Sequence, residues 1–295
     1  MSEQIKCIKC GSIKVGLNKA PNSYKCRECG KYFTLTMDTP TKVHSIMEPL
    51  SKLEVTFNID DDKLRTIPLG DIHVGSNQCK WDKVNSELNY ILNTKYCSMI
   101  GMGDFCDMAS KEVRKGPSVF ESVLSPMQQY EKIYDAFKPL ADAGKIIGLL
   151  KGNHEQWINE DSGIDIMAML CMALKVPYLG SACDIVINVN DQRYVVYAQH
   201  GSSSAKLSST KMGSLMNATR DIFADLFLYG HVHQVSATKC SKWVEGKEQK
   251  AYYVLTGHFL DWQGGYAQTF GISPSPTGVA KISLFADRKD IHVSI

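Results

Sequence analysis

The sequence predicts a layered α/β protein whose later strands form a second sheet, preceded by a small N-terminal module. Three observations carry that expectation. Between residues 53 and 174, short apolar runs alternate with stretches of helical period. From residue 183 onward, apolar runs follow one another with little helix between them. The first forty residues stand apart, with two C-x2-C pairs fifteen residues apart and a charge balance of their own.

Taken in order, "LRTIPLG" (64–70) is a strand that ends in glycine. Val84, Leu88, Ile91 and Leu92 form an amphipathic helical stripe. "CSMIGMGD" (97–104) is the next strand. Residues 119–142 read as helix, with Pro126 as a break or first-turn residue. "KIIGLLKGN" (145–153) is a third strand, and Ile166, Met169, Leu170, Ala173 and Leu174 make another core-facing stripe. Then come "CDIVINVN", "RYVVYAQHG", "DLFLYGHVH", "AYYVLTGH", "AKISLF" and "IHVSI" as strands, with one helix near 208–222. Residues 36–52 are polar and hold two prolines. The division expected is a module over 1–40, a linker over 41–60 and a main domain over 61–295.

At 295 residues, 44% hydrophobic and 22% charged, the chain can bury a sizeable core. It holds no apolar run of about 18 residues or more, so no membrane span is expected. The start "MSEQIKCIKCGS" lacks the apolar segment of a secretory signal, which makes cytoplasmic residence the default expectation. The net charge of +2 is unevenly placed. Residues 1–40 carry six Lys and one Arg against Glu3, Glu28 and Asp38, or +4, which leaves −2 for the remainder.

Four of the ten cysteines, Cys7, Cys10, Cys26 and Cys29, form the knuckles "CIKC" and "CREC", each followed by glycine. Two thiolates of one tight turn can reach one metal, and four make the closed tetrahedral site of a structural Zn2+. So small a module needs the metal for its folding energy. The pattern resembles the zinc-ribbon family, with "YKCRECGKYFTL" as second knuckle and following strand. Its basic character, interleaved with Tyr24, Tyr32 and Phe33, fits contact with nucleic acid; a module for protein contact or a structural cap fits it as well. Cys79, Cys97, Cys106, Cys171, Cys183 and Cys240 are scattered and read as small buried hydrophobes.

The main domain places its polar residues at strand ends. After "TIPLG" come Asp71 and His73; after "MIGMG", Asp104 and Asp107; after "IIGLLKG", Asn153, His154 and Glu155; after "YVVYAQ", His200; after "LFLYG", His231 and His233. Five of the chain's eight histidines lie in these places. In α/β sheets, sites form outside the carboxyl ends of the strands. Carboxylates, imidazoles and an amide gathered there suit two divalent cations.

This series, D-x-H, G-D, G-N-H-E, H-G and G-H-x-H, resembles the calcineurin-like metallophosphoesterase family over about residues 64–260. The resemblance implies a four-layer α/β/β/α sandwich with a dinuclear metal centre. One metal would bind Asp71, His73 and His233, the other Asn153, His200 and His231, with Asp104 between them. The cations would sit on the order of 3.5–4 Å apart, clamp the phosphate oxygens and hold a deprotonated water in line. His154 would face the substrate phosphate and stabilise charge or protonate the leaving oxygen, with Asp107 hydrogen-bonded to it. Glu155 would support the ligands or cap the following helix. Mn2+ is the metal expected for activity, with Fe or Zn compatible.

Within that family the phosphoprotein phosphatases have arginines where this chain has Met108 and Gln156, which counts against them. The basic ribbon favours a phosphodiesterase or nuclease acting on nucleic acid, resembling the DNA-repair nucleases of the family. "HGSSSAKLSSTKMGS" (200–214) reads either as a flexible basic loop that contacts a phosphate backbone or as a plain surface loop. In "GHFLDWQGGYAQTFGISPSPTG" (257–278), Trp262, Tyr266 and Phe270 are stacking or packing candidates, and His258 fits no ligand place. The slightly acidic main domain suits instead a nucleotide or other small phosphoester. A third reading is a catalytically silent module that binds nucleic acid.

Overall fold

The computed structural model describes residues 7, 9–10, 12–17, 23–34, 48–108, 122–203, 205, 207–244, 246–264, 266–269, 271 and 273–295. The expected linker residues 41–47 and helical residues 119–121 lie outside these. So do Phe270 and the side chains of Tyr24, Tyr32, Phe33 and Tyr266. The chain divides into two units, Met1–Ile46 and Met47–Ile295.

In the first unit, β1 (Val15–Leu17), β2 (Ser23–Cys26) and β3 (Tyr32–Thr34) pair antiparallel in that order.

The second unit begins earlier than the sequence suggests. Residues 52–57, expected as linker, form β4 (Lys52–Phe57), which pairs parallel with β8 (Ala182–Val189) at the edge of a sheet. Its side chains alternate between exposed and half-buried, so the strand carries as much polar as apolar character and its period is hard to hear beside two prolines.

Two sheets make up the unit. One has five strands: β5 (Lys63–Leu69), β6 (Cys97–Gly101) and β7 (Ile146–Leu149) run parallel, and β14 (Lys281–Phe285) and β15 (Ile291–Ser294) add antiparallel in the order β15-β14-β5-β6-β7. In the other, β9 (Gln192–Gln199), β10 (Leu226–Tyr229) and β12 (Lys247–His258) run parallel. The full order is β11-β12-β10-β9-β8-β4, with β11 (Val235–Val244) on the outer edge and β13 (Gly278–Val279) beside β12. Strand β11 was not expected: "VSATKCSKWV" is half polar, and it forms a ten-pair hairpin with β12.

Side chains alternate across each sheet and build three apolar layers. Ile100, Ile147 and Ile282 of the first sheet meet Ile185, Val196, Leu228 and Val254 of the second. On the outer face of the five-stranded sheet, Ile67, Leu69 and Met99 pack against α1 (Trp81–Asn93), α2 (Pro126–Asp142) and α4 (Ile166–Leu174). On the outer face of the seven-stranded sheet, Phe227, Tyr253 and Leu255 pack against Met212 and Leu215 of α5 (Ser208–Ala218). The order is therefore helix, sheet, sheet, helix, the α/β/β/α sandwich. Each fully buried Leu, Ile or Phe of these layers contributes roughly 1.5–3 kcal/mol.

Helix α2 starts at Pro126, as Ser125 and Gln128 form a capping box around it. Helix α4 is capped by Asp165, whose side chain accepts the N–H groups of Met167 and Ala168. Its stripe is rotated from the expected one. Met167, Leu170, Cys171 and Leu174 are buried, whereas Met169 is 45% exposed. "IMAMLCMAL" is apolar all round, so its period could not select a face. Of the scattered cysteines, Cys97, Cys106, Cys171 and Cys183 are buried, Cys79 and Cys240 partly so. Among the described residues no helix is long and apolar enough to cross a membrane.

Candidate metal centre

The carboxyl ends of the parallel strands in both sheets deliver the site. Strands β5, β6 and β7 stop at Leu69, Gly101 and Leu149, and the chain turns at once into Asp71, Asp104 and Asn153. Strands β9 and β10 stop at Gln199 and Tyr229, ahead of His200 and His231. Main-chain bonds stitch these ends together: Asp71 N–H to Gly103 O, His73 N–H to Asp104 O, and Phe259 N–H, just past β12, to Asp71 O.

All seven expected ligands converge. Nε2 of His73 and Nε2 of His233 face each other at 3.0 Å, and His233 Nε2 lies 3.3 Å from Asp71 Oδ1. Asn153 Oδ1 stands 2.7 Å from His231 Nδ1 and 3.1 Å from His200 Nε2. Between these groups is Asp104, whose Oδ2 is 3.3 Å from His200 Nε2 and 3.8 Å from His73 Nε2. Donor atoms of Asp71, His73 and His233 lie within 4.8 Å of one another, and so do those of Asp104, His200 and His231.

The donor chemistry fits divalent cations. Among the described residues, buried Asp71 Oδ1 has no hydrogen-bond partner, although His233 Nε2 stands 3.3 Å away, which suits a ligand oxygen. The His200 ring donates from Nδ1 to the Met102 carbonyl at 2.7 Å, which directs Nε2 towards Asn153 and Asp104. Burial opposes charge at Asp104 and at His200, yet each holds the other ionised. Asp104 lies well below the usual carboxylate range, and His200 is raised to about 10. His231 is lowered by burial and then by His200.

The backbone is bent to this purpose. Asp71, His73, Asp104, His231 and His233 all have left-handed φ, between 49° and 65°. Such conformations cost on the order of 1–3 kcal/mol each and gather at functional sites. Glycines make the close approach possible: a Cβ on Gly152 would lie 2.0 Å from Asp104 Oδ1, and one on Gly103 2.5 Å from Gly152 N.

His154 is buried, with Nδ1 2.6 Å from the carbonyl of Asp107 and Nε2 3.8 Å from Asp104 Oδ2. The expected bond to Asp107 thus runs to its main chain, and the carboxylate Oδ1 lies at 3.7 Å. The His154 ring also rests on Trp157, centroids 4.2 Å apart. His154 shares one donor cluster with His73 and Asp104, so its ring borders the same space as the other candidate donors.

Glu155 makes the contacts that each of the two readings weighed for it would use. In α3 (Asn153–Ser162) its carboxylate accepts the N–H of Gly152 at the helix start, and also those of Asp104 and Cys106. Burial and then the Asp104 charge raise it to about 7. Two residues were not foreseen at the centre. Gln129, fully buried in α2, accepts the N–H of Met108 at 2.9 Å. Lys211 was read both in the 200–214 segment, as a basic or plain surface loop, and in the helix expected near 208–222; the helix forms from Ser208, and Lys211 is buried with Nζ donating to the Val232 carbonyl at 2.7 Å. Only its position one residue before the apolar Met212 hinted at this.

In the first unit the four Sγ atoms of Cys7, Cys10, Cys26 and Cys29 lie within 4.8 Å of one another. Burial raises the Cys7 thiol, but the N–H groups of Lys9 and Cys10 bring it down to about 6; at Cys10 the Ser12 N–H lowers the thiol, yet burial and the neighbouring thiols push it up to about 12.

No family model and no curated protein matches the chain. Solved structures similar to it include Vacuolar Protein Sorting 29 from Cryptosporidium parvum, 15% identical with a TM-score of 0.40 over 79% of this chain and 98% of that one. Wild-type Vps29 from Entamoeba histolytica, complexed with zinc, is 14% identical with a TM-score of 0.37 over 78% and 97%. A metallophosphoesterase from Sphaerobacter thermophilus is 12% identical with a TM-score of 0.36 over 79% and 88%. These likenesses are distant, and the reading of the site rests on this chain's own residues.

Proposed function

We propose that the chain is a calcineurin-like metallophosphoesterase that hydrolyses phosphodiesters with two divalent cations, and that nucleic acid is its substrate. The observation that carries the reading is the position of Asp104 Oδ2 between two donor groups, each of which supplies its own imidazoles.

Asp71, His73 and His233 would hold one cation, Asn153, His200 and His231 the other, and Asp104 both. Mn2+ suits this mixed N/O set, as do Fe and Zn. When bound, such a pair polarises a phosphoryl group and lowers the pKa of water. The protein's own groups supply the rest. With Nδ1 turned to the Asp107 carbonyl, a protonated His154 would present its Nε2–H towards the donor groups, where it would donate to a phosphoryl or leaving-group oxygen. Glu155 keeps the turn of Asp104 and the start of α3 in register.

Nucleic acid is favoured by the +4 charge of the first forty residues and by their zinc-type cysteine cluster. A nucleotide or other small phosphoester is the second reading. It is favoured by the inward turn of Lys211, which removes that cation from the surface expected to meet a phosphate backbone. A catalytically silent module would have no use for five left-handed residues held around one set of donors. Incubation of end-labelled single- and double-stranded DNA with Mn2+, beside His154→Ala, tests the substrate. Cleavage by the unaltered chain alone supports the nuclease; intact DNA beside a hydrolysed chromogenic diester moves the substrate to the second reading.

A further inference from the structure

His258 is the buried histidine to which the reaction above gives no part. It ends β12, 5% exposed, at the same edge of the sheet as His231 and His233. Its Nδ1 accepts the N–H of Leu260 at 3.3 Å, so a neutral ring carries its proton on Nε2. The Ser275 main chain stands near enough to favour a charge on the ring, yet Nε2 has no hydrogen-bond partner among the described residues. Burial, and then the neighbouring His233, keep the ring neutral down to about pH 4. What the ring does touch is a ligand: it stacks on His233, centroids 5.5 Å apart and planes 16° apart.

The turn that carries His233 needs support. His231 and His233 are both left-handed, at 65° and 49°. Between them Val232 is buried, and its carbonyl receives Lys211 Nζ from α5. On the other side, His231 N–H is held by Asp71 Oδ2 at 3.0 Å. A left-handed pair of non-glycine residues persists only where its surroundings over-determine it. Among the groups that press on this turn from outside the donor set are a helix lysine and a strand-end imidazole.

We propose that Lys211 and His258 are positioning residues that brace the His231–Val232–His233 turn, so that both cation positions are formed before any cation arrives. Lys211 fixes the turn at its centre and therefore acts on both positions. His258 fixes the plane of the His233 ring and therefore acts on the position of Asp71, His73 and His233. Neither touches substrate. The proposal rests on the dinuclear reading above.

The test is a titration of the full chain, its cysteine cluster loaded with zinc, with Mn2+ alone, followed by the loss of the free-ion EPR signal. The unaltered chain should bind two Mn2+ ions. His258→Ala should weaken one of them by about 10- to 100-fold, the usual effect of losing a group that orients a ligand. His258→Phe, which keeps the stack and drops the ring nitrogens, should restore it. Lys211→Met should weaken both, and Lys211→Gln, which keeps a donor, should weaken them less. Melting of the metal-free variants shows whether the fold survives; a residue that only stabilises the fold would lower the melting point and leave the isotherm unmoved. Unchanged isotherms for His258→Ala and Lys211→Met would overturn the brace while leaving the dinuclear centre standing. Equal losses in His258→Phe and His258→Ala would overturn the stacking. An unaltered chain that binds no Mn2+ would overturn the dinuclear reading and the brace with it.

Discussion

Glu155 accepts the main-chain N–H of Asp104 at 3.0 Å, so the helix start that follows one strand ties down the turn that follows another. The same carboxylate takes the N–H groups of Cys106 and Gly152, all three inside a fully buried space. Glu155→Gln replaces one accepting oxygen with a donor and sets it against N–H groups. It should lower cation affinity by about 10- to 100-fold, measured by Mn2+ titration, with the far-ultraviolet circular dichroism unchanged. An unaltered isotherm would reduce Glu155 to a helix cap.

Gly152 is required by space. Gly152→Ala would bring a methyl group to 2.0 Å from Asp104 Oδ1 and 2.3 Å from Asp104 N. A loss of roughly 1–3 kcal/mol in denaturant unfolding is expected, together with loss of activity. Gly213→Ala is the control, since that glycine lies within α5 with nothing inside 4 Å of a Cβ. It should be neutral or stabilise by roughly 0.5–1 kcal/mol.

Ligands and His154 should separate by metal content. Asn153→Ala and His200→Ala should lose one cation and turnover together. His154→Ala should retain both cations and slow hydrolysis by about 10²–10⁴. Loss of both cations in His154→Ala would make it a ligand, a place its 3.8 Å approach to Asp104 Oδ2 allows geometrically.

The N-terminal unit should be separable from the chemistry. Deletion of residues 1–40 should leave hydrolysis of a small chromogenic diester intact, because every donor of the centre lies in the second unit. Binding to nucleic acid in low salt should weaken, as seven basic residues are removed. Equal binding with and without the unit would take it out of the nucleic-acid reading.

The polar residues proposed as ligands stand out in the sequence because parallel strands are buried on both faces and read as unbroken apolar runs. Such runs stop abruptly, and the polar residue that follows marks the strand's carboxyl end; Asp71, Asp104, Asn153, His200 and His231 were all found this way. What the sequence concealed depends on neighbours distant along the chain. Strand β4 gains its partner 132 residues later (Lys52 pairs with Asp184), and β11 is defined by its pairing with β12 rather than by its own half-polar period. Lys211 looks like any surface lysine until α5 turns it towards Val232. His258 becomes intelligible once β12 lies beside β10 and His233 is within stacking distance. The left-handed φ of five of the proposed ligand residues follows from strand ends that must crowd into one space, which no local propensity announces.

The most direct test of the central claim is the hydrolysis of a chromogenic phosphodiester by the full chain, stripped of cations with a chelator and then titrated with Mn2+. The account predicts no turnover in the stripped protein, recovery that saturates as Mn2+ is restored, and no recovery in Asn153→Ala. Failure of any cation to restore turnover, or equal recovery in Asn153→Ala, would contradict it.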